Sequence, residues 1–103
     1  MKTDYMRKIP VAWRAMSRVF VALGDEHRQR IVLTFEPGER LNVSQIAAVS
    51  TLARPTVSHH LRILREAGVL KSEKLGKEVY FWLDKDYLDR VFSDVLDYLR
   101  EHA

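Results

Sequence analysis

The chain contains no cysteine. That absence excludes disulfide bridges, zinc–thiolate sites and thiol redox switches before any other residue is considered. No apolar run approaches the roughly 20 residues needed to cross a bilayer. Residues Met1 to Arg14 scatter Lys2, Asp4, Arg7 and Lys8 among apolar neighbours and never build the core of a signal peptide. A cytoplasmic protein with no membrane contact is the expectation. Glycine and proline are few, 4 and 3 residues, so each is informative as punctuation. There is no internal repeat and no low-complexity tract.

What is present is an ordinary globular mixture, 47% hydrophobic and 30% charged, well away from the composition of chains that stay unfolded. A length of 103 residues suits a single domain spanning 1–103. The formal net charge is only +3, but it is unevenly placed. Arg54, Arg62, Arg65, Lys71, Lys74 and Lys77 stand against two acidic residues, Glu66 and Glu73, whereas from Asp84 onward six acidic residues stand against three basic ones. Charge alone fits either nucleic-acid binding or solvated faces, so the placement of the basic segment must decide.

Ile9, Trp13, Met16, Phe20 and Leu23 recur at helical spacing, with Pro10 suited to a first turn and Gly24 to the end. Asp25 is placed to cap a second helix carrying Ile31, Val32 and Phe35, which Pro37 and Gly38 stop. Asn42 and Gln45 have capping-box spacing ahead of Val43, Ile46, Ala47 and Val49. A turn at 50–53 leads to a helix from about Arg54 to Ala67, with Pro55 in its first turn and Gly68 at its left-handed end. Two short helices joined by such a turn have the outline of a helix-turn-helix. Segments Val69–Lys74 and Glu78–Leu83 then read as a hairpin around Leu75, Gly76 and Lys77. A last helix from about Asp86 carries the stripe Leu88, Val91, Phe92, Val95, Leu96 and Leu99. The fold class is mainly α with a small β-hairpin: a winged helix-turn-helix of about five helices and a two-stranded wing.

In the fourth helix Val57, Leu61 and Leu64 share one face and should pack inward, which turns Pro55, Ser58, His59 and Arg62 outward. Small groups near a helix N-terminus allow close approach to a major groove, and hydroxyl, imidazole and guanidinium groups reach base edges or phosphates. Arg54, Thr56, Ser58, His59 and Arg62 are therefore candidate DNA-binding residues on this helix. Lys71, Lys74 and Lys77 on the hairpin are candidates for flanking phosphates. An exposed polar helix face or a lysine-bearing edge has bland explanations when taken alone; the combination points to duplex DNA. His60, beside Leu61, reads as a packed, hydrogen-bonded residue, and His27 and His102 form no cluster by spacing, so no metal and no cofactor are assigned. Ser58 with His59 or His60 does not suggest an enzyme: adjacent residues diverge by about 100° on a helix, and neither an orienting carboxylate nor a glycine-rich oxyanion turn accompanies them.

Three segments carry a resemblance: Ala22-Leu23-Gly24-Asp25 with Arg28, Arg30 and Ile31; the run from Thr56 to Leu70 containing Ser58-His59-His60-Leu61; and Gly76-Lys77-Glu78-Val79-Tyr80-Phe81. On these residues the sequence resembles the ArsR/SmtB family of bacterial winged helix-turn-helix repressors. The resemblance implies a homodimer paired through its first and last helices, with two recognition helices reading an imperfect palindrome. Independently, terminal helices with wide apolar stripes exceed what so small a core can cover. Trp13, Phe20, Phe92 and Leu99 are the candidate dimer interface, ordinary core being the alternative for each.

The sequence departs from the family pattern in three places. Metal-sensing relatives carry Cys-x-Cys where this chain has Asn42, Val43 and Ser44. A second family site on the last helix matches Asp84, Asp86, Asp97 and Arg100, a poor set for tetrahedral zinc, and these carboxylates read as caps and a solvated acidic face. Finally, Ala53-Arg54-Pro55 stands where relatives commonly have Ser-Gln-Ser; a glutamine favours adenine, whereas Arg54 favours guanine or a phosphate. The overall expectation is a DNA-binding transcriptional regulator, with duplex DNA, a second copy and an unidentified effector as partners. The alternative is a winged protein-interaction module that does not bind DNA.

Overall fold

The computed structural model describes all 103 residues. After a single 3-10 turn at Asp4–Met6 come α1 (Val11–Leu23), α2 (Glu26–Thr34), β1 (Leu41–Asn42), α3 (Val43–Val49), α4 (Arg54–Glu66), β2 (Leu70–Leu75), β3 (Glu78–Leu83) and α5 (Lys85–His102). Local chemistry fixes most of the boundaries. Asp25 accepts from the Arg28 N–H at 3.1 Å to start α2. Asn42 and Gln45 form the reciprocal capping box of α3, at 2.8 and 2.9 Å, and Asp84 caps α5 through the Tyr87 N–H at 3.2 Å. Each cap satisfies helix-end donors that would otherwise lack a partner.

The end of α4 is the tightest joint. Gly68 takes φ +84°, its N–H donates to Arg65 O, and the Val69 N–H donates to Leu64 O, both at 3.0 Å. This is the paired bonding of a Schellman motif. The close approach of α5 adds a second demand for glycine, because a Cβ at position 68 would lie 2.5 Å from the Tyr87 ring.

The core draws on every layer: Val19 and Ala22 of α1, Ile31 of α2, Ile46 of α3, Val57, Leu61 and Leu64 of α4, Leu70 and Phe81 of the sheet and Val91 of α5 are all buried, with Phe35 and Val69 completing the cluster. In α4 the three inward residues fall on one stripe, as their spacing requires.

The sheet differs from the sequence expectation. It has three antiparallel strands in the order β1-β3-β2, not two, because Leu41 pairs with Phe81 and Asn42 with Tyr80. A two-residue strand running straight into a capping box shows no periodicity of its own. The hairpin turn is also shorter. Leu75 pairs with Glu78, leaving Gly76 and Lys77 as a two-residue turn with Gly76 at φ +64°, where tight hairpins favour glycine. No helix is long and apolar enough to cross a membrane.

Candidate nucleic-acid interface

Burial of Val57, Leu61 and Leu64 leaves Arg54, Thr56, Ser58, His59 and Arg62 exposed on the opposite side of α4. The helix starts at Arg54 after Ala53, which gives no side-chain cap. Pro55 in its first turn has no N–H to donate and the Thr56 N–H is bonded to Ala53 O at 3.0 Å, so the side chains rather than the backbone donors carry this end of the face. Two of the cations are held by neighbours. Arg54 Nη1 donates to Ser44 Oγ at 2.6 Å, and Arg62 Nη2 donates to His59 Nδ1 at 3.2 Å. A tethered side chain loses less freedom on binding than a loose one.

On the wing, Lys74 and Lys77 lie exposed at and beside the turn. Lys71 is three residues back along β2, at the base of the hairpin, and its Nζ is 3.8 Å from Asp84 Oδ2. It stands apart from the tip and shares its charge. The outer sheet face carries a feature that sequence reading missed. Arg40 lies 3.8 Å above the Trp82 ring, and its Nη1 donates to Glu73 Oε2 at 2.9 Å. Finding it requires the β1–β3 pairing, which brings residue 40 beside residue 82.

His60 is buried, with its Nδ1 3.3 Å from Arg28 Nη1. Burial pushes the imidazole below its ordinary value of 6.5, with Arg28, His59 and His27 acting in the same direction and Asp25 against them. The Arg28 N–H bonded to Asp25 holds that carboxyl below its usual range.

On the far side, α1 and α5 pack side by side through aromatic pairs. Trp13 meets Tyr98 edge-on at 5.1 Å between centroids, and Phe20 stacks on Phe92 at 5.9 Å. Phe20 and Leu99 nevertheless remain 44% and 48% exposed, and Trp13 and Phe92 are partly buried.

Residues 25–72 match the family model described as bacterial regulatory protein, arsR family. A cadmium resistance transcriptional regulatory protein CadC homolog from Staphylococcus aureus is 33% identical over 99% of this chain and 82% of its own length. The chain belongs to the arsR family of bacterial regulatory proteins. Another relative in the family, the transcriptional repressor SmtB homolog of Synechocystis sp., is 34% identical over 84% of this chain and 64% of its own length. Among solved structures, the homodimeric winged helix-turn-helix DNA-binding domain of Mb0332 from Mycobacterium bovis shares the fold. Its TM-score is 0.70 at 22% identity, over 99% of this chain and 91% of that one. As an arsR-family member the chain is a regulator and not an enzyme.

The family resemblance raises metal sensing, and the donors present do not fit it. At the positions matching the thiolate pair, Asn42 is committed to its capping box and Ser44 to Arg54. On the last helix Asp84 caps α5 and faces Lys71. Nowhere within the chain do three His, Asp or Glu side chains converge in a way that suits a metal ion.

Proposed function

We propose that the protein is a homodimeric transcriptional repressor that binds duplex DNA at an imperfect palindrome. The observation that carries this reading is the exposed face of α4, on which Arg54, Thr56, Ser58, His59 and Arg62 flank a fully buried stripe, beside a wing bearing Lys74 and Lys77. In this arrangement α4 enters the major groove, Arg54 and His59 approach base edges, Arg62 and the wing lysines meet phosphates, and Lys71 makes a peripheral contact. The Ser44 tether aims Arg54, and a guanidinium selects guanine where a glutamine selects adenine; the operator therefore differs from that of glutamine-bearing relatives.

Dimerisation joins α1 and α5 of each copy through Trp13, Phe20, Phe92 and Leu99, a face rich in aromatic side chains left partly uncovered. The Mb0332 domain is described as homodimeric and the SmtB homolog as a repressor. Both descriptions support the assignment. Regulation does not use the cysteine metal site, since the chain has no thiol.

Selection of bound sequences from a random duplex pool at fixed, near-physiological salt tests this function. The expected product is a two-fold symmetric motif with half-sites about one helical turn apart, with guanine favoured at one position in each half. Weak, salt-sensitive binding with no enriched motif overturns it and leaves a winged module that serves a protein partner.

A further inference from the structure

Arg28 touches two helices besides its own. Its Nε donates to Ala22 O at 2.6 Å and its Nη2 to Val21 O at 3.3 Å, both carbonyls in the last turn of α1. Its Nη1 reaches His60 Nδ1 at 3.3 Å, in the middle of α4. The same residue fixes the start of α2 through its N–H to Asp25. A guanidinium only donates, so this contact requires His60 to be neutral with its proton on Nε2. The fork therefore joins the end of one helix to the centre of another, and the imidazole completing it is buried.

Building on the DNA-binding function above, we propose that Arg28 and His60 are positioning residues that lock α4 to the end of α1, and so set the spacing of the two recognition helices in the dimer. Leverage makes such a lock consequential. A 13-residue helix is about 20 Å long, so a tilt of about 10° displaces one end by about 3 Å relative to the other, enough to break contacts with base edges. Hydrophobic packing of Val57, Leu61 and Leu64 holds α4 against the core, and the Arg28–His60 contact adds a directional bond at the helix centre.

The lock has a signature in pH. The titratable and charged groups facing His60 are Asp25, His27 and Arg28 from α2 and its cap, and His59 from its own helix. A protonated His60 cannot accept from Arg28 and is left facing that guanidinium with the Asp25 carboxylate opposing it. Because burial lowers the folded-state value below 6.5, the unfolded chain takes the proton first. The stability from the neutral bridge is complete above that pH and is lost as pH falls through the lowered folded-state value. Opening the bridge weakens DNA binding on acidification, whereas added positive charge on a binding face strengthens binding to a polyanion. The two effects have opposite signs.

The test compares the intact chain with Arg28→Met, which keeps the stem and removes the donors. Residual dipolar couplings of α1 and α4 in the free protein at pH 7.5 report the angle between the helices without DNA, and fluorescence anisotropy reports affinity for the selected duplex, corrected for folded fraction. In the wild type one alignment should fit both helices. In Arg28→Met the α4 couplings should need their own, with affinity reduced about tenfold and the salt slope unchanged. A single alignment with affinity within twofold of wild type overturns the proposal, and a salt slope reduced by about one shows instead that Arg28 meets a phosphate. If Arg28→Met does not fold, His60→Gln, which keeps an oxygen for Arg28 but does not titrate, decides the matter. Its affinity relative to wild type should rise as pH falls through the lowered folded-state value of His60, and identical pH profiles overturn the bridge. Failure of the wild type to bind any duplex overturns the DNA-binding function, while the couplings still judge the bridge.

Discussion

The face carried by α4 and the wing and the face carried by α1 and α5 differ both in their exposed side chains and in how those chains are held. On the first, Arg54 and Arg62 are tethered by Ser44 and His59, and the lysines of the wing tip stand in water. On the second, aromatic rings contact one another while Phe20, Leu96 and Leu99 remain open. The first face suits a polyanion, whose binding weakens steeply with salt through counterion release. The second suits an apolar surface, whose burial is insensitive to simple salts and strengthened by sulfate. Salt should therefore separate the two binding events proposed for these faces.

The largest effect is expected where the two faces are joined. Gly68 ends α4 in a left-handed conformation and lies against Tyr87 of α5. Gly68→Ala combines an unfavourable φ with an overlap at the ring and should cost about 3 kcal/mol in urea-induced unfolding. Adding Tyr87→Leu should recover only the packing part. If Gly68→Ala alone costs under about 0.5 kcal/mol, the joint is not the constraint described here.

Next in size is an attack on the apolar face alone. Phe20→Glu places a charge where a second copy should pack. In sedimentation velocity the protein should become monomeric at micromolar concentration, and its affinity for a two-half-site duplex should fall about a hundredfold through loss of linkage. Affinity for a single half-site should hardly change. A variant that stays dimeric would move the interface away from α1 and α5.

A smaller and differently shaped loss follows at the polar face. Arg62→Ala should weaken binding to every duplex and lower the salt slope by about one, while His59→Ala should relax preference at one base position by about 1–3 kcal/mol. Equal effects of the two variants on slope and preference would mean that phosphate and base contacts are not divided between these residues.

The sequence made the interior of this comparison legible and left much of the surface geometry obscure. Val57, Leu61 and Leu64 were readable because helical period alone fixes which side chains share a face, and Asn42 with Gln45 because a capping box has a fixed spacing. His60 was readable as a packed, hydrogen-bonded residue from its place beside Leu61; its partner Arg28, 32 residues away, was not. Strand β1 was missed for a similar reason. Two residues show no alternation, and their pairing with β3 depends on tertiary packing. With β1 went the Arg40 cluster, since no local rule brings residues 40, 73 and 82 together. Ser44 holding Arg54 belongs to the same class, a contact across the turn between two helices.

That Arg40 cluster yields the smallest predicted effect and the finest separation of rigidity from charge. Arg40 covers Trp82 and neutralises Glu73, both on the outer face of a sheet whose tip carries Lys74 and Lys77. The side chains of the pair are roughly half exposed, so screening leaves the ion pair and the ring contact together worth about 1 kcal/mol. Arg40→Ala should therefore lower the melting midpoint by only about 4 °C while accelerating amide exchange in β2 and β3. It should also weaken DNA binding several-fold, for two separable reasons: a looser wing and an unmasked Glu73 carboxylate beside the phosphates. Adding Glu73→Gln removes only the second. If the double variant regains DNA affinity while its wing amides still exchange quickly, charge masking is the main role of Arg40; if affinity stays low, rigidity is what the wing contributes.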